Sequence, residues 1–373
     1  MLSNPFQNSK KALLILVGFC VLPISAMAQD LSDDQEPKPD FGPMIKQVIE
    51  RSILPGYEAL RIAAHTEERS ISNLCQSPNL NNLIQARKGY KNLVSAWASV
   101  EIFRLGPAIK NNRQEKLFFW PDRKSIGLKQ VRKLIDTENQ TALSYETLRT
   151  KSVAVQGLLA LEYVLFGKGA DLLSEGIAQS YRCKYGETIS QAMGRTALDI
   201  SKDWSKPNGY ADLMYNPGSD NPVYRTQEEV VQDLLRVSSE MIQSVRDLKI
   251  HNSIKSTPEK SKPKRAPLWR SNLTIHAIKE NLNSVAQLLN AGGLGSFTPR
   301  YTKSLGFELE QTNKFLTQLE QRSAPWVELV KNEDAHKTLN FLLIPLEGAK
   351  NVTTDLIPAE LGLSLGFNSL DGD

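Results

Sequence analysis

The stretch Val153-Ala-Val-Gln-Gly-Leu-Leu-Ala-Leu-Glu-Tyr-Val-Leu-Phe166 carries only two polar side chains, those of Gln156 and Glu162. A helix that is apolar on nearly every face is a buried helix. This stretch is also shorter than the roughly 20 residues that cross a bilayer. It therefore predicts the central helix of a soluble helical domain, with Glu162 in a place where an unpaired charge is costly.

On both sides of this helix, apolar residues recur along the chain with helical spacing, and the alternating pattern typical of strands is scarce. The predicted helices are 43–75 with an interruption at Pro55, 80–105, 125–138, 147–167, 181–205, 226–250, 271–291, 304–322 and 326–357. A turn-rich segment, 207–222, separates two helical halves. We predict an all-α protein of two helical bundles packed together. The N-terminal bundle covers 41–206, a connecting loop 207–225, and the C-terminal bundle 226–373.

The beginning of the chain predicts export. Lys10 and Lys11 precede the apolar run 12–22, and Ala26-Met27-Ala28 is a typical cleavage site, so residues 1–28 are predicted to be a cleavable signal peptide. Residues 29–40 are acidic and contain proline, which predicts a disordered spacer. The expected location is the periplasm or another part of the cell envelope.

The charge balance and the cysteine content bear on the possible partners of the protein and on its disulfide bonding. The signal removes two of the 45 basic residues and none of the 41 acidic ones, so the near-neutral remainder gives no support for nucleic-acid binding. It also leaves only Cys75 and Cys183, and an isolated pair in an oxidising compartment predicts a disulfide. The segment 251–267 contains five Lys or Arg side chains and one acid. Either it is a solvated loop or it contacts an acidic partner or an anionic headgroup.

The motif Gly157-Leu-Leu-Ala-Leu-Glu162 resembles the helical Gly-x-His-x-x-Glu of the imelysin-like proteins, also called the M75 peptidase family. Leu159 stands where that motif has histidine. Further segments resemble landmarks of the same family: Ala96–Glu101, Arg104–Pro107, Phe119–Asp122, Arg182–Cys183, Ala266–Ser271 and Leu361–Asp371. The resemblance spans most of residues 43–371, and it agrees with an architecture of two helical bundles.

Two interpretations of Glu162 stay open. Positions three apart share one helix face, so a histidine and a glutamate there could together hold a divalent metal such as iron, but Leu159 cannot ligate. Glu162 is therefore a tentative metal ligand that needs help from Glu101, Asp122 or a distant histidine. Alternatively, Glu162 is held in an ion pair by Arg104, Arg123, Arg182 or Arg270. Gly157 is explained by the close approach of a neighbouring segment.

Charged residues within apolar landmark segments suggest a ligand cleft between the two bundles. The candidate cleft residues are Glu101, Arg104, Trp120, Asp122, Gln156, Gly157, Glu162 and Arg270. No catalytic residue is assigned. Elsewhere, His65 and Glu68 lie on one helix face among the polar residues Glu67, Arg69 and Ser70, which favours a solvent-exposed charge pair.

The resemblance implies a role in bacterial iron uptake, as a secreted, non-catalytic binding protein with partners in the envelope. Its ligand would be iron, haem or a peptide-like molecule. One alternative is an M75-type metallopeptidase, although the sequence has neither His-Glu-x-x-His nor Gly-x-Ser-x-Gly. A second alternative is a structural protein of the cell envelope.

Overall fold

Helices, and no strands, make up the secondary structure of residues 39–364, which are the residues that the computed structural model describes. The predicted all-α class is confirmed. The predicted signal peptide and nearly all of the predicted spacer lie outside the described residues, as does the segment after residue 364. Within residues 39–364, no helix combines the length and the hydropathy that crossing a membrane requires.

The longer helices follow one another along the whole described chain. In chain order they are α1 Leu54–Gln76, α2 Leu80–Val100, α3 Ile126–Asp136, α4 Gly157–Phe166, α5 Tyr181–Ser205, α6 Gln227–Gln243, α7 Thr274–Ala291, α8 Pro299–Gln321, α9 Glu333–Phe341 and α10 Leu343–Asn351. Shorter helices, 3₁₀ turns and π turns connect them: Gly42–Val48, Ile49–Ile53, Gly106–Ala108, Lys110–Asn112, Arg113–Leu117, Gln140–Ala142, Tyr145–Leu148, Val153–Val155, Leu172–Glu175, Tyr210–Tyr215, Ser244–His251, Asn252–Ile254, Pro263–Arg265, Leu294–Phe297, Trp326–Leu329, Val352–Leu356 and Ile357–Glu360.

The predicted interruption at Pro55 takes the form of a π turn just before the proline, not of a break in the helix. The π turn Ile49–Ile53 directly precedes α1 and leaves Pro55 within the first two positions of that helix. A proline ring clashes with the preceding turn of a regular helix and cannot donate to it, and the wider π turn before Pro55 is where the helix departs from regular geometry. The chain therefore remains helical from Gly42 to Gln76.

The predicted helix 147–167 is shorter than expected. A 3₁₀ turn, Val153–Val155, and an extended Gln156 precede α4, which begins only at Gly157. Gly157 has a φ of +73°, so the backbone there turns in a way that a continuous helix does not allow. The predicted helix 326–357 is likewise divided, because the Asn332 side chain accepts a hydrogen bond from Ala335 N and caps a new helix, α9.

Helix packing brings distant parts of the sequence together. Helix α1 packs against α2 and α5, and α4 packs against α5. The predicted disulfide is present between Cys75 and Cys183, and it joins the end of α1 to the start of α5 with their Cα atoms 5.5 Å apart. Helix α7 packs against α2 and so connects the two sequence halves. The division into two separate bundles at 207–225 stays a prediction.

Candidate functional site

Helix α4 is fixed at both ends by its neighbours. At its start, a side chain on Gly157 would collide with the carbonyl oxygens of Lys116 and Leu117, so glycine is needed for this close approach. At its end, Arg182 on α5 donates to the carbonyl oxygens of Tyr163 at 2.6 Å and Val164 at 2.9 Å. A guanidinium is well suited to the carbonyls of a helix end, of which that of Tyr163 also accepts from Gly167 N. These contacts fix the position of Glu162.

The Glu162 carboxylate is almost fully buried and is held by a turn from the other half of the sequence. Its Oε1 accepts hydrogen bonds from Arg270 N at 3.1 Å, Ser271 N at 3.0 Å and Ser271 Oγ at 2.9 Å. Its Oε2 lies 3.6 Å from Arg270 Nη1 and accepts no hydrogen bond from the described residues. Burial raises the pKa of Glu162, and the donors from Ser271 and the charge of Arg270 oppose that rise.

Arg270 is therefore the arginine that contacts Glu162. Its guanidinium carbon also lies 4.3 Å from the centre of the Trp269 ring. Of the other candidate arginines, Arg104 is exposed, and Arg182 binds the end of α4. Among residues 39–364, no three His, Cys, Asp or Glu side chains come close enough to hold a metal ion. Of the two interpretations of Glu162, the ion pair is the one for which the described residues supply the partners.

The contacts of Glu162 lead to a measurable expectation. The positive charge of Arg270 and three donors already surround the carboxylate, so we expect Fe²⁺ titrated anaerobically into the protein to give no tight binding. We expect Glu162→Gln to stay folded and its free energy of unfolding to rise relative to that of the natural protein as the pH increases, because burial raises the pKa of Glu162 in spite of the donors around it. Calorimetry and urea unfolding measure the two quantities. Micromolar Fe²⁺ binding that Glu162→Gln abolishes would instead establish the metal-ligand interpretation.

Glu162 lies in the wall of a cavity of about 940 Å³. Four of the predicted cleft residues line it: Trp120, Asp122, Glu162 and Arg270. Leu159, at the histidine position of the family motif, lines it as well. One wall comes from residues 119–163 and the other from residues 247–270 with Val327 and Lys331, so both sequence halves contribute.

The other four predicted cleft residues lie elsewhere. Arg104 is exposed, and Gly157 packs against the backbone at residues 116–117. The buried Gln156 donates through Nε2 to Lys151 O at 3.1 Å, which fixes the turn before α4. Glu101 forms a buried ion pair with Lys249, whose Nζ lies 2.9 Å from Glu101 Oε2. None of these four is among the residues that line the cavity.

The cavity has an excess of basic side chains that the predicted residue set did not include. Six of the lining residues are called the basic rim below, and all but the half-buried Lys255 are exposed: Arg123, Lys255, Lys262, Lys264, Arg265 and Lys331. Four of the six come from the basic segment 251–267. The cluster of Lys and Arg in that segment is the sequence feature from which basic residues at the cavity could have been predicted. This segment therefore lies against the cavity as well as against solvent.

The carboxyl of Glu67 was expected among solvent-exposed residues, and that expectation was wrong. Its neighbours His65 and Glu68 do form an exposed pair, with Nδ1 and Oε2 3.4 Å apart. Glu67 itself is fully buried against Gly89, and neither of its oxygens has a hydrogen-bond partner among the described residues. Burial raises the pKa of Glu67 well above its usual value of 4.5.

Because the folded chain holds this proton more tightly than the unfolded chain, Glu67 makes stability depend on pH. Its contribution is fully present below about pH 4.5 and is lost as the pH rises through the folded-state pKa. We expect Glu67→Gln to have a free energy of unfolding at least about 1 kcal/mol above that of the natural protein at pH 9. The difference should shrink toward pH 5. Part of the decrease in the free energy of unfolding with rising pH should remain in this variant, because the pKa of Glu162 is also raised. Urea unfolding at several pH values measures the slope, and an unchanged slope in Glu67→Gln would contradict this account.

The protein is all-helical, and its central apolar helix α4 begins with Gly157 and carries the buried Glu162. The family model for imelysin, peptidase family M75, matches residues 53–343. The match covers well over half of the chain, and the chain belongs to the imelysin family.

Solved structures share the fold. An imelysin-like protein from Psychrobacter arcticum 273-4 is 18% identical with a TM-score of 0.69, and the alignment covers 88% of this chain and 97% of that one. A protein from Parabacteroides distasonis ATCC 8503, provisionally named iron-regulated protein A precursor, is 16% identical with a TM-score of 0.72 and the same coverage. No curated protein matches the sequence.

Proposed function

We propose that this protein is a non-catalytic binding protein of the cell envelope that acts in bacterial iron uptake, and that its ligand occupies the cavity beside Glu162. The observation that carries the proposal is the cavity itself, about 940 Å³ in volume and lined by both sequence halves. Small-molecule sites usually measure about 300–1,000 Å³ and combine apolar walls with a few convergent polar groups.

The groups in the cavity wall suit binding better than hydrolysis. Asp122 accepts hydrogen bonds from Ile126 N and Leu128 N, so it caps α3. Glu162 is held by Arg270 and Ser271. Carboxylates that are already bound in this way fix the shape of the walls, and the aromatic side chains of Trp120 and Trp269 add apolar surface for a ligand.

The role in iron uptake and the location have separate support. Membership in the imelysin family and the name of the Parabacteroides protein both favour a function connected with iron. Export to the periplasm rests on the predicted signal peptide at residues 1–28. The ligand in this proposal is iron in complexed form, haem or a peptide-like molecule, delivered to other envelope components.

A growth experiment tests the function. The gene is deleted, and growth and cellular iron are measured with and without an iron chelator, after complementation with the natural protein or with Leu159→Trp. Leu159 lines the cavity beside Glu162, so tryptophan there should obstruct it next to that residue and reduce rescue under iron limitation. Leu172→Trp is the matched control, because Leu172 is 64% exposed and outside the cavity. A deletion strain with normal growth and normal iron content under limitation would refute the proposed function.

A further inference from the structure

Positive charge exceeds negative charge around the cavity. Within residues 39–364, the six side chains of the basic rim form no ion pair with a carboxylate. The three acids of the walls have other contacts: Asp122 caps α3, Glu162 binds Arg270 and Ser271, and Asp247 contacts Arg246. The lining as a whole has seven Lys or Arg side chains against these three acids, so the cavity carries an excess of positive charge.

Two of the rim cations are held close together by one neutral oxygen. Asn252 Oδ1 accepts hydrogen bonds from Lys255 Nζ at 2.9 Å and from Arg265 Nη1 at 2.8 Å. Burial and the charges of Arg265 and Lys262 lower the pKa of Lys255. Like charges held together in this way repel one another, and a bound anion would relieve that repulsion.

Aromatic surface lies directly beside these cations. Lys264 Nζ is 5.2 Å from the centre of the Trp269 ring, and the opposite wall presents Trp120, whose Nε1 donates to Arg265 O at 3.2 Å. That hydrogen bond connects the wall that carries Trp120 to the basic segment 251–267. A ligand in the cavity would thus meet charged donors and aromatic side chains next to one another.

We propose that the cavity binds a small polyanion, a molecule with several carboxylate or phosphate oxygens that the basic rim contacts while its body lies against Trp120 and Trp269. This inference rests on the proposed function in taking the cavity as the ligand site, and it adds the chemical class of the ligand. Charge-assisted hydrogen bonds from Lys and Arg to such oxygens are among the stronger ones in proteins.

Isothermal titration calorimetry of the purified protein with citrate and, separately, with inorganic pyrophosphate tests the proposal. We expect at least one of them to bind, more weakly as salt is raised, because salt screens the charges. The double variant Lys262→Glu/Lys264→Glu should raise its Kd about tenfold or more. Both lysines are exposed, so the variant should fold, and a thermal melt checks this.

The matched control is Lys260→Glu/Lys303→Glu, which changes the net charge equally. Lys260 lies in the same basic segment but not in the cavity lining, and Lys303 is exposed on α8. We expect this control to change the Kd much less than the rim variant does. Binding by citrate alone or pyrophosphate alone identifies the carboxylate or the phosphate source.

Three results would overturn the proposal. They are no binding of either anion, equal weakening by the rim variant and the control, and binding only to phosphatidylglycerol vesicles, which would make the rim a lipid contact. The growth experiment is independent of these results. Anion binding through the rim without an iron-dependent growth defect would refute the proposed function and leave the site intact. A growth defect without anion binding would refute the anion site and leave the proposed function intact.

Discussion

Replacing Gly157 with alanine is expected to lower the free energy of unfolding by about 2–6 kcal/mol, enough to leave part of the protein unfolded. Two costs add up. Holding a side chain at a φ of +73° costs about 1–3 kcal/mol, and forcing a Cβ against the carbonyl oxygens of Lys116 and Leu117 costs about 1–3 kcal/mol more. Urea unfolding followed by circular dichroism measures the sum.

Gly194→Ala is the control for this substitution. Gly194 lies within α5, and a Cβ there would meet the Ala64 side chain at an ordinary contact distance of 3.6 Å. Alanine in a helix is favoured over glycine by roughly 0.5–1 kcal/mol, so this variant should be as stable as the natural protein or slightly more stable. Equal effects of the two substitutions would contradict the role assigned to the turn before α4.

Lys249→Met is expected to destabilise the protein by about 3–5 kcal/mol, because it leaves the buried carboxylate of Glu101 without its cation. Lys249 is 1% exposed, and its Nζ contacts both Glu101 oxygens, at 2.9 and 3.0 Å, as well as Asn281 Oδ1 at 2.6 Å. Asn281 Nδ2 in turn donates to Ala98 O at 2.9 Å. The network joins the end of α2 to α7 and to the turn Ser244–His251. Chemical unfolding of the variant tests the expectation.

The double variant Glu101→Gln/Lys249→Met distinguishes the loss of the charge partner from the loss of packing. Removing both charges should recover a large part of the stability that Lys249→Met loses, since replacing a whole buried pair by uncharged groups is often close to neutral. A double variant as unstable as Lys249→Met would mean that packing around Lys249, and not the ion pair, dominates.

The fold was predictable where the pattern is local. The predicted helix 181–205 matches Tyr181–Ser205, and Cys75 and Cys183 form the predicted disulfide. The late start of α4 was not predictable from spacing, because the φ of Gly157 depends on carbonyls some forty residues earlier in the chain. Helix boundaries of this kind are decided by packing partners that the local sequence does not contain.

Burial of Glu67 was within reach of the sequence. Leu60, Ala64, Ile71 and Leu74 form the buried face of α1, and Glu67 occupies the position between Ala64 and Ile71 on the same face. The polar side chains next to it in sequence lie on other faces of the helix. Glu101 shows the opposite case, because its partner Lys249 lies 148 residues further along the chain and no spacing rule connects them.

The disulfide has a topological consequence for the cavity. It closes a covalent ring that begins at Cys75 and ends at Cys183, and the wall that carries Trp120, Asp122 and Glu162 lies inside that ring. The opposite wall, with Arg270 and the basic segment, lies outside it. Closing a ring of this length restricts the unfolded chain by an amount equivalent to about 4.7 kcal/mol in the loop-entropy model. The wall from residues 119–163 is thus part of a covalently closed loop, whereas the wall from residues 247–270 contacts it through non-covalent interactions. A ligand that touches both walls would add a reversible contact between the closed loop and the rest of the chain.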